Sequence, residues 1–190
     1  MSERGLNGLS LRAVAARLDA SPGTLYNYFD NKQALLEAML ARPLRDVDQT
    51  HTGTADWKSG LRAVMISLHE AFSAYPAAVT LLNAGVGAER MDHIRELLLG
   101  LLADADLAIP DRIRAQNMLV SLAVGDVIVH GAHTREHRSA ELARRRALSP
   151  ERFPFLTEAA QANLEEPGSE TFLAALDALL DAVAAMPHSR

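Results

Sequence analysis

The sequence predicts an all-α protein with an N-terminal helix-turn-helix unit over residues 1–45 and a larger helical bundle over 46–190. Three observations lead there. Alanine and leucine dominate while runs of β-branched residues are few, a composition that favours helix over strand. Apolar residues recur at spacings of three and four, the period of one helix face. Ser21 and Pro22 stand together at a helix start, where Ser caps the free N–H groups and Pro fits the first helical position.

The elements follow in order. Gly5-Leu6-Asn7-Gly8 reads as a turn, and Ser10 caps the first complete helix, with Leu11, Val14, Ala15 and Leu18 on its apolar face. A break at Asp19-Ala20-Ser21 leads to a short second helix opened by Ser21 and Pro22. Leu25 and Phe29, four apart, turn to the core, which leaves Thr24, Tyr26, Asn27 and Tyr28 outside. Two short helices joined by so tight a turn form a helix-turn-helix, whose second helix enters the DNA major groove. The spacing predicts a third helix over 31–42, stopped by Pro43, and a polar linker or helix fray over 46–55. Asp56 opens a long helix that Pro76 ends at Tyr75. A short piece over 77–83 runs into Gly85-Val86-Gly87, and a helix over 88–104 carries Ile94, Leu97, Leu98, Leu101 and Leu102 as its core stripe. Pro110-Asp111 starts a helix reaching Glu136 or beyond. A loop over 147–152 and a short helix over 153–163 precede Pro167-Gly168-Ser169, where Ser169 caps a last helix to about Met186. Phe172, Leu173, Leu176, Leu179, Leu180 and Val183 give that helix a wide apolar stripe, flanked by Ala174, Ala175, Ala178 and Ala182. So wide a stripe is buried on more than one side. The second side calls for a partner, so a homodimer through the 111–136 and 169–186 helices is expected.

Composition removes several functions. No cysteine is present, so there is neither a disulfide nor a thiolate metal site, as in a reducing cytoplasm. The first ten residues lack the apolar core of a signal peptide. The longest apolar stretch, 118–129, is broken by Gly125 and Asp126 and is too short to span a bilayer. A cytoplasmic protein without membrane contact is expected. The net charge of −5 is uneven: residues 1–45 hold six basic and four acidic side chains, +2, which leaves −7 for the rest. A basic head on an acidic body suits a DNA-reading module joined to a part that need not touch DNA.

Catalytic and metal patterns are weak. His130, His133 and His137 share one helix face by spacing, but no cysteine or Asp pair completes a metal set beside Glu136. His69-Glu70 lacks the second His of a zinc-protease helix, and Gly85-Val86-Gly87 has no phosphate-loop pattern after it. No serine sits in a nucleophile elbow. Arg144-Arg145-Arg146 reads as a solvated basic loop. Neither an enzyme, a metal site nor a cofactor is expected.

The stretch SPGTLYNYFDNKQALLEAML resembles the recognition helix and following helix of the tetracycline-repressor-like (TetR family) transcription regulators. The resemblance is strongest over 5–40. It extends to the C-terminus through SLAVGDVIVHGAHTREH, PFLTEAAQAN and the last helix, which are similar to the C-terminal domain of tetracycline repressors. It implies a ligand-responsive repressor: a homodimer on a palindromic double-stranded operator, released when a small-molecule inducer shifts the spacing of two DNA-reading heads. It also implies roles for eight residues. Arg12 offers a fork to guanine, Ser21 caps the reading helix, and Gly23 allows close backbone approach. Thr24 meets a thymine methyl or a phosphate, Tyr26 lays its ring against bases, and Tyr28 gives its hydroxyl to a phosphate. Asn27 stands where the family varies and helps set sequence preference, and Lys32 meets a phosphate at a helix N-terminus.

Two departures from the family pattern qualify this. The family's first helix precedes the motif, and here Met1-Ser2-Glu3-Arg4 represent only its end. Either the natural start lies upstream or the chain is a truncated product. A helical small-molecule-binding dimer that has lost DNA binding is therefore the alternative. Where tetracycline repressors place pocket Asn, Phe and the magnesium-binding His, this chain carries Val64, Leu68 and Leu82. A more apolar inducer is expected, held by Val64, Leu68, Leu82, Asn83, Met91 and Leu98.

Overall fold

A computed structural model describes residues 10–45, 47, 56–130, 135–162 and 168–186, and of 135–138 and 168–169 the backbone alone. Its described residues form ten helices: α1 (Leu11–Arg17), α2 (Pro22–Tyr26), α3 (Lys32–Arg45), α4 (Trp57–Ala74), α5 (Ala77–Asn83), α6 (Ala88–Ala103), α7 (Ile109–His130), α8 (Arg135–Arg146), α9 (Pro154–Gln161) and α10 (Gly168–Ala184).

Local chemistry sets the head. Ser10 Oγ accepts from the Ala13 N–H at 3.1 Å and Ser21 Oγ from the Thr24 N–H at 3.1 Å, so each short helix has a side-chain cap. Between them Asp19 takes the left-handed conformation at φ 52°, which Asp tolerates better than most residues. Leu11, Ala15, Leu25 and Leu35 form a small core with Val14 and Phe29 packed against it. Leu18, expected on the apolar face of α1, instead lies in the turn beyond it and is 64% exposed.

Helix α3 joins head to body. Leu35 belongs to the head core, whereas Leu36, Leu40 and Leu44 belong to the main core. Asn31 Oδ1 caps the helix by accepting from the Ala34 N–H at 2.9 Å. The expected stop at Pro43 does not occur, and α3 runs on to Arg45. Proline removes one backbone donor, but only near the end of the helix, and the last turn buries Pro43 and Leu44.

Helix α4 is the axis of the body and packs against α3, α5, α6, α7 and α10. Leu61, Val64, Met65, Leu68 and Phe72 are fully buried along it, each contributing about 1.5–3 kcal/mol of transfer free energy, an upper range because unfolded chains are partly compact. At Gly60 an added Cβ would lie 2.8 Å from Leu101 Cδ2, so a missing side chain lets α4 and α6 approach closely. Helix α6 buries Met91, Ile94, Leu98, Leu101 and Leu102, while Leu97 is only partly buried.

Helix α7 ends at His130, and residues 131–134 lie outside the described part. Arg144, Arg145 and Arg146, read from the sequence as a loop, form the last turn of α8, where cations complement the helix dipole. Glu141 receives Arg144 and Arg145, and its carboxyl is held down at about 2, first by the Arg144 hydrogen bond. Arg146 Nε donates to the Ala160 carbonyl of α9 at 3.0 Å, which ties α8 to α9. Helix α10 starts at Gly168, one residue before the expected cap Ser169. It packs against α4 and α7.

Candidate functional site

The short helix α2 presents a polar and aromatic surface. Thr24, Tyr26, Asn27 and Tyr28 are all exposed, Tyr28 by 76% and Tyr26 by 48%, while Leu25 alone of that helix is buried. Burying Leu25 against Leu11, Ala15 and Leu35 fixes the roll of α2 and so aims the other side chains outward. Ser21 Oγ lies 2.9 Å from Thr24 Oγ1, so the cap also orients the threonine. Gly23 and Arg12 are exposed on the same two helices. Lys32 is half-buried at the first turn of α3 and has a partner there. The structure thus gathers seven of the eight expected residues on the outer surface of α1, α2 and their cap. Such a surface offers hydroxyl, amide and guanidinium groups to phosphates and base edges.

The six residues expected to meet a ligand lie in the body. Val64, Leu68, Met91 and Leu98 are buried in one core cluster between α4 and α6. Leu82 packs at its edge, and Asn83 is exposed at the end of α5.

A second polar cluster joins α4 to α7. His69 Nε2 donates to Asp126 Oδ2 at 2.7 Å, and His130 Nδ1 to Asp126 Oδ1 at 3.0 Å. The His69 ring stacks on Phe172 of α10, centroids 3.8 Å apart and planes within 9°. The sequence pattern grouped His130 with His133 and His137. The structure pairs it instead through Asp126 with a residue on α4. His133 lies outside the described residues, as does the His137 side chain. The available signal was an Asp inside an apolar stretch, at Gly125-Asp126-Val127. Among the described residues no group of three His, Cys, Asp or Glu side chains is arranged to hold a metal ion. Nor, among them, is any helix long and apolar enough to cross a membrane.

Comparison with known proteins places this arrangement. Residues 1–39 match the profile of bacterial regulatory proteins of the tetR family, and residues 50–186 that of the tetracyclin repressor-like C-terminal domain. The chain is 28% identical over 184 residues to the class D tetracycline repressor protein of Escherichia coli, covering 95% of this chain and 82% of that one. It is 32% identical over 133 residues to the class A repressor from transposon 1721 in Escherichia coli, covering 67% and 60%. A possible TetR family transcriptional regulator from Streptomyces coelicolor A3(2) shares its structure with TM-score 0.72 at 26% identity, over 96% of this chain and 92% of that one. The Streptomyces coelicolor TetR family protein ActR, solved in complex with (S)-DNPA, shares the fold with TM-score 0.71 at 19% identity, over 96% and 90%. With a helix-turn-helix head, a helical body and matches along nearly its whole length, the chain belongs to the TetR family of DNA-binding transcriptional regulators and is not an enzyme.

Proposed function

We propose that this chain is a cytoplasmic, homodimeric repressor that leaves a palindromic operator when a small apolar inducer binds its body. Residues 1–45 form the DNA-binding domain and 46–190 the ligand-binding and dimerisation domain. The observation that carries the reading is the exposed row Thr24, Tyr26, Asn27 and Tyr28 on a capped α2 and the turn after it. In this reading Tyr26, Thr24 and Asn27 read base edges, while Arg12, Tyr28 and Lys32 position the head on phosphates and bases. Ser21 and Gly23 hold the N-terminus of α2 close to the backbone.

The dimer reading rests on two unpartnered stripes. On α7, Ile109, Ile113 and Ile128 are 67%, 47% and 59% exposed, and helical spacing puts them on one face with the half-buried Val120 and Val124. On α10, Ala174, Ala178 and Ala182 form an exposed row at intervals of four, small enough for close approach of a second helix. The inducer reading rests on the aliphatic character of Val64, Leu68, Met91, Leu98 and Leu82, with Asn83 at the rim. A site so lined takes an apolar molecule with few polar groups.

The test is titration of the chain against DNA from its own flanking intergenic region at two salt concentrations. Saturable binding that resists competitor DNA and weakens with salt is expected. Tyr26→Ala and Thr24→Ala each lower specific affinity by about 1–3 kcal/mol with the fold intact. Unchanged affinity in both variants overturns the assignment. Weak, nonspecific binding by the parent chain favours the alternative, a ligand-binding dimer without operator recognition.

A further inference from the structure

The His69–Asp126–His130 cluster lies in the helical body, and none of its three residues is among those assigned to DNA or to the inducer. Its geometry is specific. One carboxylate, with its side chain 10% exposed, spends each oxygen on a different imidazole. His69 comes from α4, and Asp126 and His130 come from α7, one turn apart. Phe172 of α10 covers the His69 ring. Three helices therefore meet at one polar point, set beside the apolar residues of the main core.

Aliphatic contacts between helices tolerate small rotations and slides. A buried carboxylate does not, because losing one partner leaves a charge in a place water reaches poorly. If α4 slid by one turn along α7, about 5.4 Å, His69 would leave Asp126 altogether. The contact is thus close to all-or-none. The helices that it joins are also placed to matter. Helix α7 carries the apolar stripe assigned to the dimer, and α4 packs against α3, which shares Leu35 with the head core.

We propose that Asp126 is a positioning residue: its grip on His69 and His130 locks α4 to the dimer helix α7 and so fixes the spacing of the two DNA-reading heads. This rests on the dimer assigned above.

The test reads the distance between heads. The chain has no cysteine, so Ala38→Cys, exposed on α3, takes one spin label per subunit of the full chain. Dipolar spectroscopy then gives the inter-label distance distribution. The parent is expected to show one narrow population. Asp126→Ala, which removes both acceptors, broadens it, and Asp126→Asn, which keeps one acceptor oxygen, gives an intermediate width. His69→Ala combined with Asp126→Ala is no broader than Asp126→Ala alone. Val183→Ala, a fully buried α10 position outside the cluster, loses stability but keeps the narrow population. His130→Gln, at the more exposed end, broadens the distribution even if Asp126→Ala yields little folded protein. A distribution unchanged in both Asp126→Ala and His130→Gln, or equal broadening by Val183→Ala, overturns the proposal. Absence of any inter-label coupling in the parent overturns the dimer reading itself, a failure visible before any variant is made.

Discussion

Gly87 faces Leu40 where the α5–α6 turn meets α3: a Cβ built on Gly87 would lie 2.2 Å from Leu40 Cδ2. Leu40 is completely buried and has little room to move aside. Gly87 also sits at φ 72°, in the left-handed region. Gly85 shares that backbone feature at φ 80°, yet nothing lies within 4 Å of its added Cβ. The two glycines therefore separate backbone strain from packing. Gly85→Ala should cost about 1–2 kcal/mol in urea unfolding, the left-handed penalty alone. Gly87→Ala should cost about 1–3 kcal/mol more through overpacking. Since α3 carries Leu40 and joins the head core, Gly87→Ala should also weaken operator binding more than Gly85→Ala. Equal losses in stability would show that Leu40 yields freely.

A pH dependence follows from the ion pairs between α4 and α10. Lys58 pairs with Asp181, and four residues on along α4 Arg62 pairs with Asp177, four residues back along α10. The Arg62 hydrogen bond holds the Asp177 carboxyl below its ordinary 3.8; burial opposes it, and the charges of Arg62 and Lys58 add to it. For a lowered carboxyl, the stabilisation is present above the unfolded value and disappears as pH falls through the lower folded value. Asp177→Asn should therefore be less stable than the parent at pH 7, with the gap closing below about pH 3.8. Both side chains are about half exposed, so the gap is small and shrinks in 1 M salt. Thermal unfolding at pH 7 and pH 3 in low and high salt measures it; a gap that widens on acidification would contradict the pairing.

Much of this architecture was legible from local chemistry. Ser10, Ser21, Asn31 and Asp56 cap the helices they precede, because a side-chain oxygen before an apolar-periodic run has few other uses. Tyr75 and Pro76 end α4 as expected. The failures share a cause. Proline chemistry alone stops α3 at Pro43, but tertiary burial of Leu44 outweighs one lost donor. Three successive arginines read as a solvated loop, but Glu141 and the Ala160 carbonyl hold those side chains on a helix. The head surface was readable because its residues are neighbours in sequence. The Asp126 cluster was not, because His69 and Asp126 are 57 residues apart and no spacing rule links them.

The cap on α2 gives a prediction for the reading helix. With only five residues, α2 depends strongly on its terminus, since so short a helix is unstable alone. Ser21→Ala should destabilise the head by about 1 kcal/mol and Ser21→Gly by only a few tenths. Ser21 Oγ also meets Thr24 Oγ1, so both variants should lose operator affinity beyond the stability change. Amide exchange at Thr24, whose N–H donates to Ser21, reports the cap directly. Unchanged protection in Ser21→Ala would mean that packing of Leu25 alone holds the helix.

The dimer surface can be broken at its most exposed wide side chain near the end of α7. Ile128 is 59% exposed, so Ile128→Glu replaces a solvent-facing apolar group in the monomer and should leave helical content and monomer stability within about 0.5 kcal/mol. In the dimer the same glutamate would be desolvated against the twin stripe without a cation to meet it, at a cost of several kcal/mol counted over two copies. Sedimentation should then show a monomer at concentrations where the parent is a dimer. Operator affinity should fall far more steeply than in Tyr26→Ala, because a palindrome is read by two linked heads and a single head loses the gain of linkage. Retention of the dimer by Ile128→Glu would move the interface off this face of α7, and Ala178→Glu on α10 would then show whether the small-residue row carries it alone.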